Sequence, residues 1–417
     1  MRLFQRARAT ALISRGGLPL FAAFLVWGAG SGAQTLGRPL LAFEFSGSVF
    51  LVTLLISSLA LSRIVAGPVT GFLVDRVGRR PLAATGSGIR AACSVGDVFA
   101  QNYVQFFALE FIGAIGLTMF NTTSIVMIAD LSERENRGRA VALRTTALRV
   151  GQVAGPLLAA GVAYMFGLRY VFLINAVAKL IVMFIIIRMM SETRPEPEVT
   201  GRARERPSAS IGGIRAILPI MLTRGFAVLA ITTFGIHLMT QGVFQSLFPI
   251  QSKEQAGLSA GDVGTLVSIA SVVTLLFAFP NGMIVDRFGR KPSLVPGLLL
   301  LAGTAVLLAM SRDYTGALMV AFAYGLGQSM TLGASQTFAM DLAPEAQRGT
   351  FLGAWSISQN LGSFVGPLAA GAIVDGWGFA PAFLVTAAWL GGSAVIMGLF
   401  GPETRVRNRA GPGSPGP

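Results

Sequence analysis

The sequence predicts an all-α membrane protein of twelve transmembrane helices, built as two parallel six-helix repeats. Three observations carry this. Of the 417 residues, 53% are hydrophobic and only 12% charged, against about 25% charged in a soluble globular chain, so lipid is the solvent for most of the surface. Apolar runs such as Phe106 to Ile128, broken only by Glu110, and Phe379 to Phe400 have the roughly 20-residue length of a spanning helix. They lack the roughly 10-residue alternation of a barrel strand. Finally, Gly71-Phe72-Leu73-Val74-Asp75-Arg76-Val77-Gly78-Arg79-Arg80-Pro81 returns as Gly282-Met283-Ile284-Val285-Asp286-Arg287-Phe288-Gly289-Arg290-Lys291-Pro292, 282 − 71 = 211 positions later.

Taken in order, the chain opens with a basic segment, 1–17, followed by an apolar stretch and small residues that resemble a secretory signal. Mostly apolar sequence resumes at Leu36, and the segment has a counterpart in the second half, so it reads as the first spanning helix. A first bundle, 18–190, holds helices at 18–43, 47–73, 81–100, 103–130, 142–166 and 168–190. Residues 191–215, rich in Glu, Arg and Pro, form a linker that cannot enter the membrane. A second bundle, 216–401, holds helices at 216–248, 260–284, 292–311, 314–341, 352–376 and 378–401, and a Gly/Pro-rich tail, 402–417, reads as disordered.

The same offset pairs Asp130 with Asp341, Arg137-Gly138 with Arg348-Gly349, Gly155-Pro156 with Gly366-Pro367, and Glu192-Thr193-Arg194 with Glu403-Thr404-Arg405. Two halves in one orientation, joined by a linker, form the parallel-repeat architecture of one transporter class.

The net charge of +14 gathers at alternate ends of the apolar runs. That is the positive-inside pattern of a multi-pass protein of the cell membrane with both termini and the linker in the cytoplasm, not a nucleic-acid patch. The one cysteine, Cys93, excludes an intrachain disulfide and argues against a metal cluster. Gly289-Arg290-Lys291-Pro292 lacks the glycine spacing and the Ser/Thr of a P-loop. No enzyme motif and no cofactor is implied, and the energy for any transport must come from a proton or other ion gradient.

The Gly71–Arg80 motif and its copy, the Asp130–Gly138 segment and its copy, and Gly151-x-x-x-Gly155-Pro156 in the fifth helix resemble the major facilitator superfamily over nearly the whole length. The resemblance is greatest to its drug:proton antiporter-like multidrug efflux branch. It implies a monomeric transporter of a small-molecule substrate working by alternating access. It also implies a gate made of Gly71, Asp75, Arg76, Gly78, Arg79 and Arg80, with Gly282, Asp286, Arg287, Gly289, Arg290 and Asp341 in the second half. In the family this cluster latches the halves in the outward-open state, the arginine meeting an acid at the end of the fourth helix; Arg79 and Asp130 match those positions. Gly71 and Gly282 fit a close helix approach, and Asp75 a helix N-terminus. The Gly-x-x-x-Gly-Pro pattern in the fifth helix marks drug-exporting antiporters by resemblance, yet Gly362-x-x-x-Gly366-Pro367 repeats it in the eleventh, which a structural hinge explains as well.

Where the halves differ, packing does not dictate the residue. Arg63 aligns with Thr274, Arg90 with Leu301, Glu110 with Ala321, Arg149 with Asn360 and Lys179 with Leu390, which puts the intramembrane charge in the first half. Glu110 is the one carboxylate well inside a predicted helix, while Asp97 lies near the outer end of its run. Desolvation equips such a carboxylate to bind and release protons, making Glu110 the candidate for proton coupling; the alternative is a structural partner for an arginine. Counting about 1.5 Å per residue from the cytoplasmic ends puts Arg90 roughly 15 Å from the level of Glu110, which disfavours a direct pair. Efflux members usually carry an arginine in the fourth helix ahead of Gln-Gly-x-Gly. Glu110-Phe111-Ile112-Gly113-Ala114-Ile115-Gly116 puts an acid there.

Candidates for substrate binding are Gln34, Arg38, Arg90, Asn121, Arg149, His237, Gln241, Gln245, Gln328 and Asn360, with Trp27, Phe234 and Trp355 as apolar walls. Gln34 and Gln245 are repeat equivalents. Three functions fit: proton-coupled efflux of amphipathic drug-like compounds, uniport or symport of an organic anion favoured by the positive excess, and a non-transporting receptor or scaffold.

Overall fold

The computed structural model describes residues 17–132, 137–190, 192, 219, 221–344 and 347–403. Most of the N-terminal segment, the linker and the tail lie outside the described residues. Twelve helices follow in order: α1 Gly17–Ser46, α2 Val49–Val77, α3 Arg79–Phe99, α4 Tyr103–Leu131, α5 Arg137–Phe166 and α6 Val171–Met189 in the first half. In the second half come α7 Arg224–Glu254, α8 Ala260–Phe288, α9 Lys291–Met310, α10 Tyr314–Leu342, α11 Arg348–Trp377 and α12 Phe379–Phe400.

Among the described residues, nine of these helices are long and apolar enough to cross a membrane. The three that fall short, α1, α3 and α5, carry Arg38, Arg90 with Asp97, and Arg144 with Arg149. Helix starts follow local chemistry. Ser48, Asn102, Thr223 and Asp313 each accept from an amide of the first turn, and Ser259 with Asp262 forms a capping box on α8. The sequence places the start of the seventh helix at 216, which lies outside the described residues; α7 runs from Arg224, where Thr223 caps it. Within α7, Leu238–Leu247 widens into π-helical turns, and Pro249, which has no N–H to give, is accommodated where they end.

Each half packs alike: α1 on α5 and α7 on α11, α3 on α4 and α6, α9 on α10 and α12. Glycines set the first of these contacts. A Cβ on Gly151 would fall 2.7 Å from the Ala29 nitrogen, and one on Gly155 2.5 Å from the Ala33 nitrogen, so α5 presses backbone to backbone on α1. Gly242 of α7 likewise sits on Gly366 of α11, where a Cβ would lie 3.1 Å from the Gly366 carbonyl carbon. The Gly-x-x-x-Gly-Pro pattern serves packing in both halves.

Between halves, α2 packs on α11 and α5 on α8. Call the face holding the Asp75 and Asp286 turns the motif side. The halves close together on the opposite side: Asp375 of α11 accepts from Ser48 Oγ at 2.7 Å and from the Val49 and Phe50 amides at 3.1 and 3.2 Å. Ser57 Oγ also donates to the Phe364 carbonyl at 2.7 Å.

Candidate functional site

Two charged turns stand on the motif side. Gly78 at φ +102° and Gly289 at φ +99° adopt a backbone that L side chains resist, and they turn the chain directly into α3 and α9. There Glu192 accepts from the Arg79 and Arg80 amides at 2.9 and 3.1 Å, and Glu403 from the Arg290 amide at 3.2 Å. The repeated Glu-Thr-Arg thus supplies each helix N-terminus with a carboxylate. Arg79 Nε reaches Asp130 Oδ2 at 3.0 Å and its Nη2 lies 3.7 Å from Asp75; Arg290 Nε lies 2.6 Å from Asp341. Gly71 and Gly282 depart from expectation. A Cβ on either meets nothing within 4 Å, because the halves stand apart on this side and the close approach is not made in this state.

Between the halves lies a cavity of about 500 Å³. It reaches from Gly32 and Thr35 of α1 to the exposed Gly282 and Asp286 at the motif end of α8, so it opens on the motif side. Of the residues named as substrate-binding candidates, Arg149, His237, Gln241, Gln245 and Gln328 line it. His237 Nδ1 stands 2.9 Å from the Thr233 carbonyl; since a carbonyl only accepts, that nitrogen donates and the other is left for a partner. The π-helical turns of α7 carry both Gln241 and Gln245 into the lining. The aromatic wall is not the expected one: Phe244 and Tyr324 stack at 3.6 Å between centroids and both line the cavity. Trp27 instead stacks on Phe120 at 3.7 Å inside the first half, and Trp355 donates to Thr233. Asn121 accepts from Arg144, and neither it nor Asn360 lines the cavity.

Gln34, Arg38 and Arg90, expected at the substrate site, belong to a buried polar cluster in the first half. Glu110, fully buried, accepts from Arg38 Nε at 2.8 Å and from Arg90 Nη2 at 2.8 Å. The expectation that Arg90 and Glu110 stand at different levels fails for a definable reason. The motif-side ends of α3 and α4 are staggered, whereas the short 100–102 connection pins their other ends together. Counted from that connection the two residues are nearly level. Gly113 makes the room, since a Cβ there would lie 3.1 Å from the Arg90 guanidinium carbon. Two arginines thus reach the fourth-helix carboxylate, one from α1 and one from α3.

The cluster continues through Gln34, which accepts from Arg38 at 2.5 Å and donates toward Glu110 at 3.5 Å, and through Ser94 to Asn175 at 2.6 Å. Lys179 donates to the Trp27 carbonyl at 2.8 Å and the Ser31 hydroxyl at 2.9 Å, its ammonium 3.7 Å from the centroid of the Trp27 ring. Asp97, set aside in the sequence as near a helix end, is fully buried beside Glu110. The repeat could have flagged it, because it aligns with Leu308 at the same 308 − 97 = 211 offset. Among the described residues no group of His, Cys, Asp or Glu is arranged to hold a metal.

A model of the Major Facilitator Superfamily matches residues 20–252 and 230–416. The chain is 27% identical over 375 residues to Multidrug resistance protein MdtG of Dickeya zeae, covering 88% of this chain and 85% of that one. It is 26% identical over 340 residues to an uncharacterised MFS-type transporter, YhjO, of Bacillus subtilis, covering 80% of each. The crystal structure of a D-xylose–proton symporter superposes with a TM-score of 0.74 at 19% identity, over 93% of this chain and 97% of that one. A bacterial homologue of the human lysosomal transporter Spinster, inward-facing and occupied, superposes at 0.73 and 16% identity, over 94% and 96%. Twelve helices in two parallel repeats, a cavity between them, and a family match running through both halves assign this protein to the major facilitator superfamily of membrane transporters.

Proposed function

We propose that the protein exports a small amphipathic organic compound in exchange for protons. In this reading it sits in the bacterial cell membrane with the motif side in the cytoplasm, and it works as a monomer. The observation that carries the proposal is the separation of two polar sites in one fold. An aromatic and amide-lined cavity opens on the motif side, and a buried ionic cluster around Glu110 lies apart from its lining. A cluster that does not line the solute cavity, yet holds ionisable groups within the membrane, suits an ion-coupling role. The multidrug resistance names of the relatives support the export direction. The gate on the motif side is Arg79 with Asp75 and Asp130, matched by Arg290 with Asp341.

A second reading has its own observation. Among the described residues, Arg149 is the one cation in the body of the cavity lining, with Asp286 out at its mouth, and this favours an organic anion. Proteoliposomes holding purified protein and a trapped pH dye separate the readings. Export predicts alkalinisation or acidification driven by an amphipathic dye, lost in Glu110→Gln. Anion uniport predicts uptake of an aromatic carboxylate with no proton signal, weakened by Arg149→Gln. A scaffold would move neither.

A further inference from the structure

Among the described residues, Asp97 is the one buried carboxyl group with neither oxygen hydrogen-bonded, and the residue is fully buried. The arginines that flank it, Arg38 and Arg90, spend their short contacts on Glu110. A buried carboxylate without a donor or an ion partner is strongly disfavoured. Carrying a proton removes that penalty, and Asp97 lies two turns along α3 from Arg90, on the helix face that meets Glu110. Of the two carboxyl groups, the arginines settle which is charged. Glu110, accepting from both guanidinium groups at 2.8 Å, is the ionised member.

The second half provides an internal control. Its equivalents of Arg90, Ser94, Asp97, Glu110 and Lys179 are Leu301, Ala305, Leu308, Ala321 and Leu390, each buried and apolar. The same helix contacts therefore form without any of these ionic groups, so the fold does not require Asp97.

We propose that Asp97 is the proton-binding residue of the buried cluster, with Glu110 held ionised by Arg38 and Arg90 as the acceptor of its hydrogen bond. This deepens the export reading and rests on it for the word coupling, though not for the proton site itself. On loading, a proton from water forms the O–H bond of Asp97, which donates to Glu110. On release that bond breaks, the proton returns to water, and two adjacent carboxylates are left to share two arginines. The charged and titratable groups facing Asp97 are Arg38 from α1, Arg90 and Cys93 from its own helix, and Glu110 from α4. Lys179 of α6 acts on both arginines. Asp97 lies two residues from the end of α3, on the opposite side from the motif turns. A proton entering from there meets it before Glu110. Release then shifts the balance at Arg38, which meets Glu110 on one side and Gln34 of its own helix on the other.

The test is infrared spectroscopy of the purified full chain at neutral pH. The carbonyl stretch of a protonated carboxylic acid should be present, should shift when aspartates carry a carbon-13 side-chain carboxyl, and should stay put when glutamates do. It should also disappear in Asp97→Asn. A spectrum without the band, a band that moves with the glutamate label, or one that persists in Asp97→Asn overturns the proposal. If Asp97→Asn fails to fold, the two labels in the native protein decide alone. The proteoliposome proton signal is a separate readout: a band on Asp97 without solute-driven proton movement leaves the proton site standing and removes the export reading.

Discussion

Replacing the cluster by the residues its own repeat uses should be tolerated far better than removing one member. Glu110→Ala alone leaves Arg90, 2% exposed, and Arg38 without the carboxylate that each meets at 2.8 Å. Breaking a buried pair from one side costs about 3–5 kcal/mol, and with two cations stranded the upper end of that range is expected. The combined variant Arg90→Leu, Asp97→Leu and Glu110→Ala takes its residues from Leu301, Leu308 and Ala321, with Arg38→Met removing the remaining cation. Exchanging a buried ionic set for apolar side chains of similar volume is neutral or stabilising by about 1–4 kcal/mol. The two variants should therefore differ in sign as well as size, by about 5 kcal/mol or more. Denaturant titration in detergent micelles reads this, and Trp27, stacked on Phe120 and covered by Lys179, reports locally by fluorescence. A combined variant no more stable than Glu110→Ala would refute the reasoning and make the cluster a requirement of first-half packing. The combined variant should also lose any solute-driven proton movement.

Other outcomes follow from the contacts outside the cluster. Asp375→Asn weakens charge-assisted bonds to the first turn of α2, worth about 1.5–3 kcal/mol, and should raise the population open on the opposite side about tenfold or more. Spin labels at Gln101 and Glu254 should then show a longer distance, and an unchanged distribution would remove Asp375 as a closure. Gly78→Ala must strain a φ of +102° and sets a Cβ 2.7 Å from Glu192 Oε2; a loss of about 1–3 kcal/mol is expected, read by thermal unfolding. Gly289→Ala should act alike. Gly155→Leu should prevent folding outright, since the site lies against the α1 backbone, and normal yield of folded protein would contradict the packing described.

The fold was legible because a spanning helix needs only length and apolarity, and because a 211-residue repeat measures its own significance. Asp130 as the partner of Arg79 was legible only through the family resemblance, whose motif sets an acid at the end of the fourth helix to meet that arginine. The level of a residue inside the membrane was not. Apolar runs show how long a helix is but not how far its neighbour's end overshoots, so Arg90 and Glu110 looked separated until the short connection between α3 and α4 fixed their register. Asp97 was hidden by the same counting, which equated a helix end with exposure. The π-helical turns of α7 have no signal in an apolar sequence. They decide which of Thr240, Gln241, Phe244 and Gln245 face the cavity, and all four do.

The repeat also says how the two halves divide the work. Cavity residues Gln241, Thr274, Tyr324 and Gln328 stand where the first half has Gly30, Arg63, Gly113 and Leu117, while the cluster residues Arg90, Ser94, Asp97, Glu110 and Lys179 stand where the second half is apolar. The pair at Gln34 breaks this division. Gln34 and Gln245 are equivalents, yet Gln245 lines the cavity and Gln34 is buried in the cluster. That difference falls on α1, whose residues 34 and 38 share one face, four apart, and point at Glu110. Residues 32 and 35, on average about a third of a turn away, border the solute cavity. The helix is held against α5 by Gly28, Gly32, Gly151 and Gly155 with no side chains to cushion a shift. A change of charge at the cluster that moved α1 would therefore move the cavity wall with it, and this rigid contact is the mechanical link that the proposed proton coupling requires.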